Sequence, residues 1–373
     1  MKVLLFFNFL VLTINNFIHP ISPELLEMKQ APLYLNGILY SMMALASFLF
    51  SPLWGKLMTK RGIKLFLVIG PVTYAIVQWG FYLFDSPILI GLSRFLAGVT
   101  SSMFIVGVSS YVSLYSPASK RGKYFGLITA TTSLGAIFGQ FLSGEMAKYS
   151  LELPFIVLLI AATVIAILII FFIKDDDKQE EGKEKQSIKN IFNILKQSKQ
   201  IKLLAIFVLI TFSANIYNSN IGLFVQSYYD LAPNEVARVT MIGNTIILLV
   251  NLFCLNYLQN KCKFNTVITT MIVIGLISCG GIILSLDSKL FIVFISLFVL
   301  SYAAYRPIMQ AEFLVNNKLS APMLMGFLNS INSLAMISGG LISGIAYSIN
   351  PVLMFYIILL LLASALVLMK VKR

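Results

Sequence analysis

The chain has 373 residues, of which 58% are hydrophobic and 12% charged, with a mean hydropathy of +0.88. Soluble domains carry about 25% charged residues, so the composition excludes a soluble protein and indicates an integral membrane protein. The net charge of +13 would suggest nucleic acid in a soluble chain, but the placement of the charges gives it another cause.

Twelve apolar segments follow one another, each near the roughly 20 residues that a spanning helix needs. They run at approximately 3–21, 36–56, 64–84, 88–111, 124–146, 153–173, 201–224, 236–258, 264–286, 290–311, 323–346 and 351–369. The first follows Met1-Lys2 as a signal peptide would. The run after it, His19 to Glu27, has no small-x-small cleavage site, so an uncleaved first helix is expected. With the N-terminus inside, the cytoplasmic segments hold 22 Lys and Arg and the outer loops hold four, Lys29, Lys148, Arg238 and Lys289. Arg94 and Arg306 remain within apolar segments. This asymmetry places both termini in the cytoplasm. The basic charge therefore reflects topology, and no nucleic-acid partner is implied.

After the sixth segment the composition changes. Residues 174–202 contain Asp175 to Asp177, Glu180, Glu181, Glu184 and eight lysines, with helically spaced Ile188, Ile191, Phe192 and Leu195 suggesting a surface amphipathic helix. The expected organisation is an N-terminal six-helix bundle over 1–173, a cytoplasmic linker over 174–200 and a C-terminal six-helix bundle over 201–373. A glycine signature supports it. Gly126, Gly135, Gly139, Ser143 and Gly144 recur 200 residues later as Gly326, Ala335, Gly339, Ser343 and Gly344. Small residues at spacings of four and five let a neighbouring helix approach closely. The two copies lie in segments that run the same way, which is a parallel repeat about an axis along the membrane normal, the build of a secondary transporter. The fold class is all-α integral membrane, with twelve transmembrane helices in two pseudo-symmetric six-helix bundles.

Candidate chemistry lies in the few polar residues within these segments. A charge at a helix centre costs on the order of 3 kcal/mol on the insertion scale, so Arg94 either orients a substrate or is held as structural glue. Arg306 lies roughly 7 Å from the cytoplasmic end of its segment at 1.5 Å per residue; it either lines a cavity with Glu312 as partner or snorkels to headgroups. Carboxylates are scarce. Glu24 and Glu27 end the first segment, Glu145 the fifth and Glu312 the tenth, while Asp230 lies in a loop; Glu24 and Glu312 are the coupling candidates, each alternatively an exposed end charge. His19, the sole histidine, titrates near physiological pH and shares a helical stripe with Asn8 and Asn15. Asn15, Asn215, Asn218, Asn329 and Asn332 are amides that either line a cavity or bond neighbouring helices. Cys254, Cys262 and Cys279 have no metal or redox spacing, and neither a nucleophile motif nor a phosphate loop appears. No enzyme, metal or cofactor is implied.

Three motifs resemble those of the major facilitator superfamily, specifically its 12-helix drug:proton antiporters, and the resemblance spans the whole chain. Gly55-Lys-Leu57-Met-Thr59-Lys60-Arg61-Gly62-Ile-Lys64 is similar to the family's first cytoplasmic loop, Gly-x-Leu-Ala-Asp-Arg-x-Gly-Arg-Arg/Lys. Leu92-Ser-Arg94-Phe-Leu-Ala-Gly98 resembles its intramembrane Arg-x-x-x-Gly. Gly126, Gly135, Gly139-Gln140 and Ser143-Gly144 resemble its fifth-helix antiporter motif, and Pro20 and Pro23 match a pair common in multidrug members. Thr59 stands where the family has an aspartate of the cytoplasmic gate, and a threonine caps a helix without supplying charge. Gln140 replaces a proline and Ser143 a glycine, so that kink is absent.

The resemblance implies a proton-coupled exporter of small lipophilic or drug-like compounds working by alternating access. It also implies a coupling role for Arg94 and a monomer whose partners are protons, a small molecule and the bilayer. Abundant Lys, Asn and Ile suggest a bacterial plasma membrane. The scarcity of carboxylates motivates the alternative, a transporter of a specific metabolite, peptide or lipid. The helix-5 glycines are expected to seal the outer side against a helix of the other half.

Overall fold

A computed structural model describes residues 1–30, 35–173, 198–228, 233–285, 288–315, 320–350 and 352–370. Hydrocarbon offers the backbone no partners, so each apolar segment closes its own hydrogen bonds as a helix. In chain order these are α1 (Lys2–Asn15, continued by Ile18–Met28), α2 (Leu35–Arg61), α3 (Lys64–Leu83), α4 (Pro87–Tyr115), α5 (Arg121–Ala147) and α6 (Leu153–Phe172). There follow α7 (Ser198–Tyr228), α8 (Pro233–Leu249, through a π-helical turn at Val250–Cys254 to Leu255–Lys261) and α9 (Phe264–Leu284). The last are α10 (Ser288–Tyr302 and Tyr305–Val315), α11 (Ala321–Ile349) and α12 (Leu353–Lys370). Among the described residues eleven helical stretches are long and apolar enough to cross a membrane, and α11, with 29 residues, takes the remaining segment. The expected amphipathic helix near 188–195 lies outside the described residues.

The helix ends follow local chemistry. α2 runs past its apolar stretch to Lys60 and Arg61, whose charges suit the negative end of the helix dipole. Gly62 then adopts φ 79°, the left-handed conformation that stops a helix and that glycine adopts without a Cβ penalty.

Two expected single helices are broken, and proline explains both. Pro20 has no N–H for the Asn16 carbonyl and its ring crowds that carbonyl, so α1 breaks at Asn16–Phe17. The stripe joining Asn8, Asn15 and His19 is therefore interrupted between its second and third members. Pro307 likewise leaves the Ala303 carbonyl without its helical partner, and α10 breaks at Ala303–Ala304. Pro52 frees the Phe48 carbonyl in the same way, although α2 remains continuous. In an apolar medium such carbonyls need a donor from elsewhere. The Ser330 hydroxyl donates to the Phe48 carbonyl at 2.7 Å, and the Asn251 amide donates to the Ala303 carbonyl at 2.9 Å.

The chain forms two compact units. One comprises Met1–Pro117, Thr131–Gln186 and Leu319–Ser333; in it α4 packs on α2 and α3, and α6 on α3 and α1. The other comprises Ala118–Ala130, Ser187–Lys318 and Leu334–Arg373; in it α9 packs on α10 and α12, and α12 on α7. The pairings α3–α4, α3–α6 and α1–α6 thus recur as α9–α10, α9–α12 and α7–α12. Each unit takes in part of α5 and part of α11.

Candidate functional site

The α1 break gathers polar groups from three other helices. The Tyr74 hydroxyl on α3 donates to the Asn15 carbonyl at 3.0 Å, and the Ser143 hydroxyl on α5 donates to the Phe17 carbonyl. Gln78, one turn along α3, donates its amide to Tyr74 Oη at 2.6 Å. Arg94 reaches this cluster from α4. One of its Nη groups donates to the Ser22 hydroxyl, the other lies 3.4 Å from Gln78 Oε1 and 3.8 Å from the Met43 sulfur. Its guanidinium carbon sits 3.7 Å from the centroid of the Phe81 ring. A chain of hydrogen bonds therefore runs from Arg94 through Gln78 and Tyr74 to the backbone at the break.

Gly98 sets this geometry. It lies one helical turn from Arg94 on the same face, and a Cβ there would stand 2.1 Å from the Met43 carbonyl oxygen. Without that Cβ, α2 approaches closely enough to lay Met43 beside Arg94. The Arg-x-x-x-Gly spacing is thus a charge and the notch that brings its neighbour in.

Arg94 is 2% exposed. Among the described residues it forms no ion pair with a carboxylate, and its Nε–H has no hydrogen-bond partner. Glu24 is exposed and is not brought to it. His19 is half-buried, its ring 5.8 Å from that of Tyr40, and it is near enough to feel the Arg94 charge. The Asn15 side-chain oxygen is buried without a partner. Beyond the cluster, Lys29 at the end of α1 donates to the carbonyls of Tyr82 and Phe84 at 2.6 and 2.8 Å and pairs with Asp85 at 2.9 Å, fixing the C-terminal end of α1.

The helix-5 glycines correct one expectation. A Cβ at Gly135 would lie 2.9 Å from the Phe9 carbonyl oxygen, and one at Gly139 would lie 2.2 Å from that of Thr13. Both positions pack on α1, within their own half of the sequence. Gly144 has nothing within 4 Å of its Cβ position, and Gln140 is exposed. At Gly135 and Gly139 the small-residue stripe is an intra-half contact, made against carbonyls of α1.

Close contacts with helices of the other half are made at Gly55, at Gly326 and, within the helix-5 signature itself, at Gly126. A Cβ at Gly55 would meet the Pro322 carbonyl oxygen at 2.4 Å, and one at Gly326 the Ser51 carbonyl oxygen at 2.4 Å. A neutral seam surrounds this α2–α11 crossing. The Asn329 amide donates to Ser51 Oγ at 2.9 Å and lies 3.3 Å from Ser47 Oγ, and the Ser333 hydroxyl donates to Ser47 Oγ at 2.8 Å. Thr59, in the family's aspartate position, donates to the Gly55 carbonyl at 2.9 Å and lies 3.3 Å from Ser320 Oγ. Lys60 is exposed and Lys64 half-buried at the start of α3. Gly126 on α5 faces Leu255 and the Asn251 carbonyl of α8.

The α10 break holds a second cluster. Tyr302 donates its hydroxyl to Asn218 Oδ1 at 2.9 Å, and the Tyr305 hydroxyl lies 3.3 Å from Thr211 Oγ1. The Asn215 amide turns back to the Thr211 carbonyl of its own helix at 2.8 Å. Arg306 is the second residue of the second piece of α10 and is half-buried, as is Glu312 farther along it; Asn332 is half-buried on α11. Sequence reasoning missed Ser22, Gln78, Tyr74, Ser47, Ser51 and the bonding of Asn251. A lone Gln in the middle of an apolar segment and a Ser between two prolines were the available signals.

Relatives agree with this architecture. The chain is 21% identical over 339 residues to "Multidrug resistance protein 2" of Bacillus subtilis, covering 89% of this chain and 84% of that protein. It is 31% identical over 119 residues to "Quinolone resistance protein NorA" of Staphylococcus aureus, an alignment that takes in 32% of this chain and 31% of that protein. The crystal structure of the human organic anion transporter MFSD10 superposes with a TM-score of 0.86 at 14% identity, covering 99% of this chain and 98% of that one, a likeness of fold. The Major Facilitator Superfamily model matches residues 4–316. With twelve helices among the described residues, their recurring pairings and a family match over most of its length, this chain belongs to the Major Facilitator Superfamily.

Proposed function

We propose that this transporter is a proton-coupled exporter of small lipophilic or drug-like compounds, working by alternating access between chain halves 1–173 and 201–373 joined by the linker 174–200. It acts as a monomer in a bacterial plasma membrane with both termini in the cytoplasm. The observation that carries the reading is Arg94: a fully buried intramembrane charge wired through Gln78 and Tyr74 to a broken helix. Intramembrane charges mark substrate and proton paths, and discontinuous helices mark transporter binding sites. The names of the two bacterial relatives, both resistance proteins, support a drug-like substrate. The second reading, a specific metabolite, peptide or lipid, is favoured by the finding that no carboxylate among the described residues pairs with the buried arginine.

The test is purified protein in liposomes loaded with a DNA-bound fluorescent cation. Imposing a pH gradient should drive dye movement that stops when an ionophore collapses the gradient, and several unrelated dyes should behave alike. Arg94→Ala should lose gradient-driven transport while retaining downhill exchange. Saturable movement of one compound alone would favour the specific transporter, and uphill transport by Arg94→Ala would remove Arg94 from coupling.

A further inference from the structure

We propose that Arg94 is the anchoring subsite for an anionic substrate group, a carboxylate on a lipophilic body, which takes the place that the Ser22 hydroxyl now holds. The inference rests on the exporter reading and adds to it a subsite for acidic compounds, one that cationic substrates would not occupy. A guanidinium presents five N–H donors in a planar fork suited to two parallel bonds with a carboxylate. At Arg94 the fork is underused. Its one short partner is the Ser22 hydroxyl, its contacts to Gln78 and Met43 are 3.4 and 3.8 Å, and the Nε–H has no acceptor. The shell is neutral throughout: a hydroxyl, an amide, a thioether and the face of Phe81. Burying a cation in such a shell without a counter-charge is costly, and an entering anion relieves that cost.

Two features allow the exchange. Ser22 also donates to the Ile18 carbonyl of its own helix, so its hydroxyl keeps a partner when Arg94 lets go. Met43 is half-buried and its thioether covers one edge of the guanidinium; an unbranched side chain with three rotatable bonds swings aside readily. A cationic compound would meet the opposite field here, because no carboxylate among the described residues pairs with Arg94. His19 and Tyr74 are titratable groups close enough to interact with it electrostatically.

The experiment uses pyrenebutanoate and its methyl ester as matched probes, differing in charge and not in lipophilic body. Binding to the purified full chain in neutral detergent is read by energy transfer from tryptophan; the chain has two, and Trp79 adjoins Gln78. The wild type should bind the acid about ten-fold more tightly than the ester, the scale of a charge-assisted pair. Arg94→Gln should erase that preference and Arg94→Lys should keep part of it. Ser22→Ala, which removes the competitor, should tighten acid binding about three-fold and leave the ester unchanged. Equal affinity for acid and ester in the wild type overturns the proposal, as does an acid preference that survives in Arg94→Gln. Should Arg94→Gln fail to fold, weaker acid binding by Ser22→Ala overturns it instead. Gradient-driven export of cationic dyes without acid preference removes the anion subsite and leaves the exporter reading standing. Acid preference without gradient-driven export does the reverse.

Discussion

At the level of single residues, glycines that look alike in the sequence differ in what surrounds them. Replacing glycine by alanine inside a helix gains up to about 1 kcal/mol in intrinsic propensity. At Gly144 nothing opposes that gain, because the Cβ position is open. At Gly139 the new methyl would lie 2.2 Å from the Thr13 carbonyl oxygen, and backbone cannot move aside as a side chain can. Overpacking of this kind costs about 1–3 kcal/mol, so the clash wins. Gly139→Ala should lower the thermal midpoint of the detergent-solubilised protein, and Gly139→Leu should abolish transport while the protein still inserts. Gly144→Ala should raise the midpoint slightly and leave transport unchanged. A Gly139→Leu protein with normal transport would show that α1 and α5 need not meet so closely.

At the level of elements, the helices were legible and their interruptions were not. Segments of about 20 apolar residues admit one solution in hydrocarbon, which is why the twelve expected spans lie close to helices of the described residues. The breaks in α1 and α10 follow from Pro20 and Pro307, but whether a proline bends or breaks a helix depends on which distant donor meets the freed carbonyl. Ser330 meets the one freed by Pro52 in a continuous α2, whereas Asn251 meets the one freed by Pro307 in a broken α10. Nothing local in the sequence pairs residue 251 with residue 303. The same holds for Arg94: its place within an apolar segment was readable, its hydroxyl, amide and aromatic shell was not.

The α8–α10 contact makes this testable. Asn251→Ala leaves the Ala303 carbonyl buried without a donor, a loss of about 1–3 kcal/mol. Adding Pro307→Ala supplies a backbone N–H in the same helix that can close on that carbonyl. The double variant should therefore be more stable than Asn251→Ala alone, with a coupling of about 0.5–3 kcal/mol between the two sites, measured from apparent unfolding midpoints. Simple additivity would mean that the Asn251 amide contributes through its second bond, to the Ile247 carbonyl at 2.8 Å, and not through α10.

At the scale of the whole molecule, the 200-residue repeat gives the two halves matching contacts with unequal tolerances. Gly126 faces Asn251 and Leu255; Gly326 faces Ser51 and Pro52. Positions 51 and 251 correspond under the repeat, as do 126 and 326. The partners diverge one turn farther on, where Gly55 in the first half corresponds to Leu255 in the second. Glycine at 55 lets α2 and α11 touch backbone to backbone, so a Cβ at Gly326 would lie 2.4 Å from a carbonyl oxygen. Leucine at 255 holds α8 and α5 apart by a side chain, so a Cβ at Gly126 would meet the far end of that leucine, at 1.9 Å from Cδ2, and the nearest backbone atom only at 3.4 Å. A flexible side-chain terminus can rotate away and a carbonyl oxygen cannot. Gly326→Ala should therefore reduce transport about ten-fold, while Gly126→Ala should stay within about two-fold of the wild type, the difference between a rigid and a yielding overpacked contact. Gly126→Leu should fail as Gly326→Ala does, since a whole isobutyl group exceeds what Leu255 can vacate. Equal loss in the two alanine variants, measured in the same liposomes, would mean that the repeat and not the local contact sets the requirement for glycine.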